Sequence, residues 1–238
     1  MVRQRLEHHR HPQTAVTSAA ELVHAAKAIL LDFDGPVTPL MPPPVNAQAA
    51  DHARAALTGV DIPADVAATT DHLAVLRWTA TSAPDRLAAV EEACIAAELK
   101  AARACEPTAG ALDFLRWCQQ QGKPVVIVSN NAAGAITTCL NRFDAAGLIR
   151  GIVGREPRRP DLLKPHPSLV WAALDLAQVQ ADEAVLIGDS VTDVDVALAT
   201  GSQAIGYAKN ADRRRRLGAV GASSVVDSMF ELLVETHI

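Results

Sequence analysis

Aromatic side chains are scarce in this chain: one Tyr, three Trp and four Phe make up 3% of 238 residues. That scarcity removes the stacking platforms on which single-stranded nucleic acids bind. A formal net charge of −5 removes the attraction to a phosphate backbone as well, so no nucleic-acid partner is expected. Long apolar runs are missing too. No stretch reaches the roughly 18 consecutive apolar residues of a membrane helix, so no membrane partner is expected. The N-terminus has no charged segment followed by an apolar run and a cleavage site, and the expected location is cytoplasmic. Cysteines stand only at Cys94, Cys105, Cys118 and Cys139. None falls in a C-x-x-C pair or at the spacing of a zinc site, so they read as thiols of a reducing compartment.

Apolar residues, by contrast, reach 49%, much of it Ala. That is enough for a core without staples, and Ala favours helix. The length fits one large domain, or one core domain with an insertion. Residues 1–16 are polar and include His8, His9 and His11. Nothing apolar anchors them, so a flexible tail is expected there rather than a metal site. Ser18-Ala-Ala-Glu21 has the pattern of a capping box and predicts a short helix.

Ala28 to Leu31 is a short apolar run, followed by Asp32, Asp34 and Gly35. Such a run reads as a buried parallel strand. Residues i and i+2 of a strand share a face, so both acids leave the sheet together. Two like charges so close call for a cation, a shared proton, or both. Pro36, Pro39 and Pro42-Pro43-Pro44 then end regular pairing. Residues 41–105 contain no convincing strand and read as a helical insertion, with helices at about 45–58, 63–80 and 84–104. In the third, Leu87, Val90, Cys94, Ala97 and Ala101 make the apolar stripe, with Glu91 and Glu98 off it.

From residue 106 strands and helices alternate. Strand runs at 125–128, 152–153, 184–187, 204–207 and 224–226 are separated by helical segments. Together with 17–40 they predict an α/β core with a Rossmann-like, doubly wound parallel sheet. Ligands of such sheets bind outside the carboxyl ends of the strands. Three of those ends carry polar groups: Asp32 and Asp34, Ser129 and Asn130, and Asp189. A loop adds Lys164. Carboxylates suit a hard divalent cation such as Mg²⁺. A hydroxyl, an ammonium and backbone N–H groups at a helix start suit a phosphate dianion.

With these residues in order, the chain resembles the haloacid dehalogenase superfamily phosphatases, of the phosphoglycolate phosphatase-like kind with an α-helical C1-type cap. The resemblance rests on four motifs: Asp32-Phe-Asp34-Gly35, the strand ending in Ser129, Lys164-Pro165, and Gly188-Asp189-Ser-Val-Thr-Asp193. It implies that Asp32 is the nucleophile of an aspartyl-phosphate mechanism and Asp34 the general acid and base. It implies Mg²⁺ held by Asp32, the Asp34 carbonyl and Asp189, with Asp193 binding through water or orienting its neighbours. Ser129, Asn130 and Lys164 would hold the phosphoryl group. The implied partner is a small phosphorylated metabolite (a sugar phosphate, phosphoglycolate or a nucleotide), and the implied assembly a monomer or homodimer.

Pro36 departs from the pattern, since the family usually has Thr or Val there, and Thr38 is a candidate replacement hydroxyl. A phosphomutase of the β-phosphoglucomutase type shares every core motif. A non-catalytic phosphometabolite-binding protein on the same scaffold is the other alternative. The basic run Arg213 to Arg216 reads as a solvated helix face. His52, His72, Arg77 and Trp78 are the insertion residues with chemistry to offer a substrate, and none stands out.

Overall fold

The computed structural model describes residues 17–233; the tail at 1–16, with its three histidines, lies outside the described residues. The chain opens on helix α1, Ala19–Ala25, whose first turn is closed by the expected capping box of Ser18 and Glu21. Strand β1, Ala28–Leu31, follows and is buried throughout. The insertion supplies α2 (Val45–Ala55), α3 (Ala64–Ala68), α4 (His72–Ser82) and α5 (Leu87–Ala102). The alternating part then runs α6 (Ala111–Gln120), β2 (Val125–Val128), α7 (Ala133–Arg142), β3 (Gly151–Val153), α8 (Ser168–Ala177), β4 (Ala184–Gly188), α9 (Val191–Thr200), β5 (Gln203–Tyr207), α10 (Ala211–Ala219) and β6 (Ser224–Val226). A short 3-10 turn, Met229–Leu232, follows β6.

All six strands are parallel, in the order β3-β2-β1-β4-β5-β6. The order reverses at β1, which pairs with β2 on one side and β4 on the other, Leu31 facing both Ile127 and Ile187. The connections on the two sides of that reversal diverge and leave a crevice at the carboxyl ends. Alternation along the strands splits the core in two. Ile29, Leu31 and Ile127 pack on one face against Phe114, Leu115 and Ile136. Ala28, Leu30 and Val126 pack on the other against Val170, Leu174 and Val194. Truncating a buried Leu in either layer costs about 2–5 kcal/mol.

The insertion has its own apolar centre, made by Leu57, Val75, Leu76, Val90 and Cys94, with Leu163 of the alternating part packed against it. One detail differs from the sequence reading. The expected helix at 63–80 is two helices, because Asp71 accepts the Leu73 N–H at 2.8 Å and starts a new one. Glu91 and Glu98, off the apolar stripe as expected, are nevertheless both buried. Seven residues apart, they share a helix face, and that face meets Arg155 just after β3. Arg155 donates Nε to Glu91 Oε1 at 2.7 Å and Nη1 to Glu98 Oε1 at 2.8 Å. Among the described residues no helix is long and apolar enough to cross a membrane.

Candidate active site

At the carboxyl end of β1 the chain turns sharply at Gly35, with φ +121°. A Cβ there would lie 2.6 Å from Asp189 Oδ2, so only Gly lets the two acidic strand ends approach. Gly188 serves likewise on β4, where a Cβ would come within 2.4 Å of Asp193. The tight turns bring oxygens of Asp32, Asp189 and Asp193 within 4.8 Å of one another.

Lys164 enters from the loop after β3. Its buried Nζ donates to Asp32 Oδ1 at 2.8 Å, Asp193 Oδ1 at 2.6 Å and the Val128 carbonyl at 2.8 Å. All three ammonium protons are therefore committed. Asp193 is fully used as well: Oδ1 takes Lys164, while Oδ2 takes the Ser190 N–H at 3.0 Å and hydroxyl at 2.6 Å. It anchors the lysine and starts α9 through a capping box with Ser190.

Ser129 and Asn130 follow β2 at the same edge. The Ser129 hydroxyl does not cap the next helix. It donates to Asn131 Oδ1 at 3.1 Å and accepts the Asn131 N–H at 3.2 Å. Ala132 stands at the N-cap of α7, and its N–H goes to Glu98 Oε2 at 2.8 Å. Asn130 clasps the lysine loop with its side chain, accepting the Lys164 N–H at 2.8 Å and donating to the Lys164 carbonyl at 3.4 Å. Its carbonyl takes Arg155 Nη1 at 2.7 Å. Among the described residues its own N–H makes no hydrogen bond.

Asp34 points into the crevice, its Oδ1 accepting the Leu40 N–H at 2.8 Å and the Met41 N–H at 3.4 Å. Thr38 is not its partner; that hydroxyl donates to the Glu106 carbonyl at 2.7 Å. Backbone N–H groups thus hold the Asp34 carboxylate, and Pro36 leaves that arrangement intact.

The electrostatics follow from packing acids together in a dry place. Burial pushes the Asp32 carboxyl up to about 8; Lys164 opposes this, while Asp193 and Asp189 add to it. Burial raises Asp34, against the Met41 and Leu40 N–H groups. Burial also lifts Asp189 to about 6, against the pull of Arg213. Lys164 is raised in spite of burial, because Asp193 and Asp32 hold its proton. A divalent cation among these oxygens would reverse the direction for the acids. The donor set fits one: hard carboxylates and the Asp34 carbonyl, which accepts no hydrogen bond among the described residues.

A cleft of about 280 Å³ opens over this edge. Its floor includes Asp32, Asp34, Ser129, Asn130, Lys164 and Asp189, and its far wall Asn46, Thr70, Asp71 and His72 from the insertion. Every site residue expected from sequence is thus at one edge, with Asp193 just beneath. Of the insertion residues considered earlier, His72 lines this cleft, Arg77 a neighbouring groove, and His52 a separate pocket.

Arg213 was misjudged. It reaches back from α10 to pair with Asp189, whereas Arg214, Arg215 and Arg216 pair with Asp227 and Asp212 on an outer face. The missed signal was its position one turn after the β5 carboxyl end. Arg155 and its two glutamates carried no motif at all.

The sequence and the fold have known counterparts. The chain is 28% identical over 126 residues to a phosphoglycolate phosphatase of Pseudomonas putida, covering 52% of this chain and 45% of that one. The chain therefore matches only about half the length of that curated relative. CbbY from Rhodobacter sphaeroides, solved in complex with phosphate, superposes with a TM-score of 0.64 at 19% identity, over 87% of this chain and 96% of that one. A hydrolase of Deinococcus radiodurans, solved with bound phosphate and sodium, superposes with a TM-score of 0.58 at 25% identity, over 87% and 93%. The haloacid dehalogenase-like hydrolase family profile matches residues 26–201, which hold Asp32, Asp34, Ser129, Lys164 and Asp189. With most of its length inside that match and the six-stranded sheet beneath it, the chain belongs to the haloacid dehalogenase-like hydrolase family.

Proposed function

We propose that the protein is a Mg²⁺-dependent phosphatase acting on a small phosphorylated metabolite through an aspartyl-phosphate. One observation carries the reading: the ammonium of Lys164 is buried between Asp32 and Asp193 in a cleft that Asp34 and Asp189 also line. The phosphate-solved relatives add support through their shared fold.

Asp32 attacks phosphorus, and the leaving alcohol takes its proton from Asp34. Burial raises Asp34, which suits a group that must first give a proton and then accept one. Asp34 next draws a proton from the water that attacks the phosphorylated Asp32, and phosphate leaves with Asp32 restored. The Asn130 N–H would hold a phosphoryl oxygen directly, and Lys164 and the Ser129 hydroxyl would do so by exchanging their bonds to Asp32 and Asn131 for the phosphate. The Asp32 and Asp189 carboxylates and the Asp34 carbonyl would hold Mg²⁺. When bound, the ion offsets the repulsion between a carboxylate and a phosphate dianion. Positioning and fixed charge together carry the acceleration, as in other phosphoryl transfers.

In this reading residues 41–105 form a cap over the core, made of 17–40 and 106–238, and exclude water during turnover. Four free thiols fit a cytoplasmic, reducing setting. Phosphate release from an aryl phosphate should require Mg²⁺ and vanish in Asp32→Asn. Turnover of that variant at the wild-type rate rejects the nucleophile. Interconversion of sugar phosphates without net release would mark a mutase instead.

A further inference from the structure

The wall of the cleft facing the phosphoryl site decides which alcohol leaves. We infer that this alcohol is uncharged and hydroxylated, a polyol or sugar, and that the wall discriminates against a carboxylate or second phosphate at that place. The inference rests on the phosphatase reading above.

Asn46, Thr70, Asp71 and His72 make the polar part of that wall. Asn46 turns Oδ1 onto the Ala47 N–H at 2.8 Å, which leaves its NH₂ as a donor. Thr70 adds a hydroxyl, and Asp71, whose side chain is half-exposed, adds a carboxylate. Hydroxyl groups find both donors and acceptors here.

At this wall an anion finds no cation supplied by the insertion. Among the described residues no Lys or Arg of the insertion lines the cleft. The three protons of Lys164 are already placed on Asp32, Asp193 and Val128. His72 turns Nε2 to the buried Glu98 Oε1 at 2.9 Å, so any charge on the ring already has its counter-ion. Arg77 lines the adjoining groove and sits 3.6 Å from Asp71 Oδ2. A second anionic group at this wall would therefore be desolvated beside Asp71, whose partner Arg77 lies outside the cleft. Among the described residues no Phe, Tyr or Trp lines either space, so a nucleobase lacks the large rings it stacks on.

Two substrate pairs isolate the effect. Hydroxyethyl phosphate and phosphoglycolate differ only in a terminal CH₂OH against a carboxylate; glycerol 3-phosphate and 3-phosphoglycerate differ in the same way. With the full chain and Mg²⁺, kcat/KM should favour the hydroxyl member of each pair roughly tenfold or more, mainly through KM. Asp71→Asn keeps a helix cap of equal quality and should shrink the ratio by improving the carboxylate member. Equal or better turnover of the carboxylates overturns the inference, as does a ratio that Asp71→Asn leaves unchanged. Calorimetric binding of the same pairs to Asp32→Asn reads the preference without turnover, and reversed affinities there overturn it too. Absence of phosphate release from every ester, the aryl phosphate included, would instead reject the phosphatase reading.

Discussion

Glu98 Oε2 accepts the backbone N–H of Ala132 at 2.8 Å, tying the last helix of the insertion to the start of α7. Its other oxygen takes His72 Nε2 at 2.9 Å and Arg155 Nη1 at 2.8 Å. Arg155 in turn holds the Asn130 carbonyl at 2.7 Å. One floor residue of the cleft, Asn130, and one wall residue, His72, are thus joined through buried charge. Removing one partner from such a group leaves the others uncompensated.

Arg155→Met is expected to destabilise the protein by about 3–5 kcal/mol, because Glu91 and Glu98 then lie buried without a cation. Urea denaturation reads the difference. A loss below about 1 kcal/mol, the range of surface pairs, would show that the network carries little.

Acid should unfold the protein partly through Glu98. Burial works against its charge, but the His72 hydrogen bond and Arg155 outweigh it and hold the carboxyl down at about 2, from an ordinary 4.5. A depressed acid contributes stability that is complete above its unfolded pKa and is lost as pH falls toward the folded one. The loss attributable to Glu98 therefore falls between pH 4.5 and about 2. Glu98→Gln should flatten the stability-versus-pH curve in that window, measured by denaturation at each pH. An unchanged slope would contradict the assignment.

Gly35→Ala tests the close approach of the two acidic strand ends. Its Cβ would meet Asp189 Oδ2 at 2.6 Å, on a backbone with φ +121°. Strain of this kind costs about 1–3 kcal/mol. Aryl-phosphatase activity should fall more steeply than stability, because Asp189 must move from its place. Full activity with unaltered Mg²⁺ dependence would mean that Asp189 has no fixed role.

Strands, order of elements and the acidic edge were legible because each leaves a local mark. Four-residue apolar runs such as Val125–Val128 read as buried strands, and Asp32, Asp34, Lys164 and Asp189 fall at their ends or in the loops between. Glu98 and Arg155 left no such mark. Each is an ordinary charged residue in its own segment, and only the meeting of α5 with the loop after β3, 57 residues apart, gives them partners. Arg213 was hidden by its neighbours, since a run of four arginines looks uniformly solvated while one of them turns inward. Thr38 failed for the opposite reason: it stands close to Asp34 in sequence, yet its hydroxyl is drawn to Glu106.

The nucleophile is the centre of the account, and chemical trapping reaches it directly. Enzyme quenched during turnover and treated with borohydride should carry a reduced acyl-phosphate on the peptide containing Asp32, in amounts that rise with substrate, and Asp32→Asn should carry none. Turnover that proceeds with Asp32 unmodified, or with the trapped group on another residue, would contradict it.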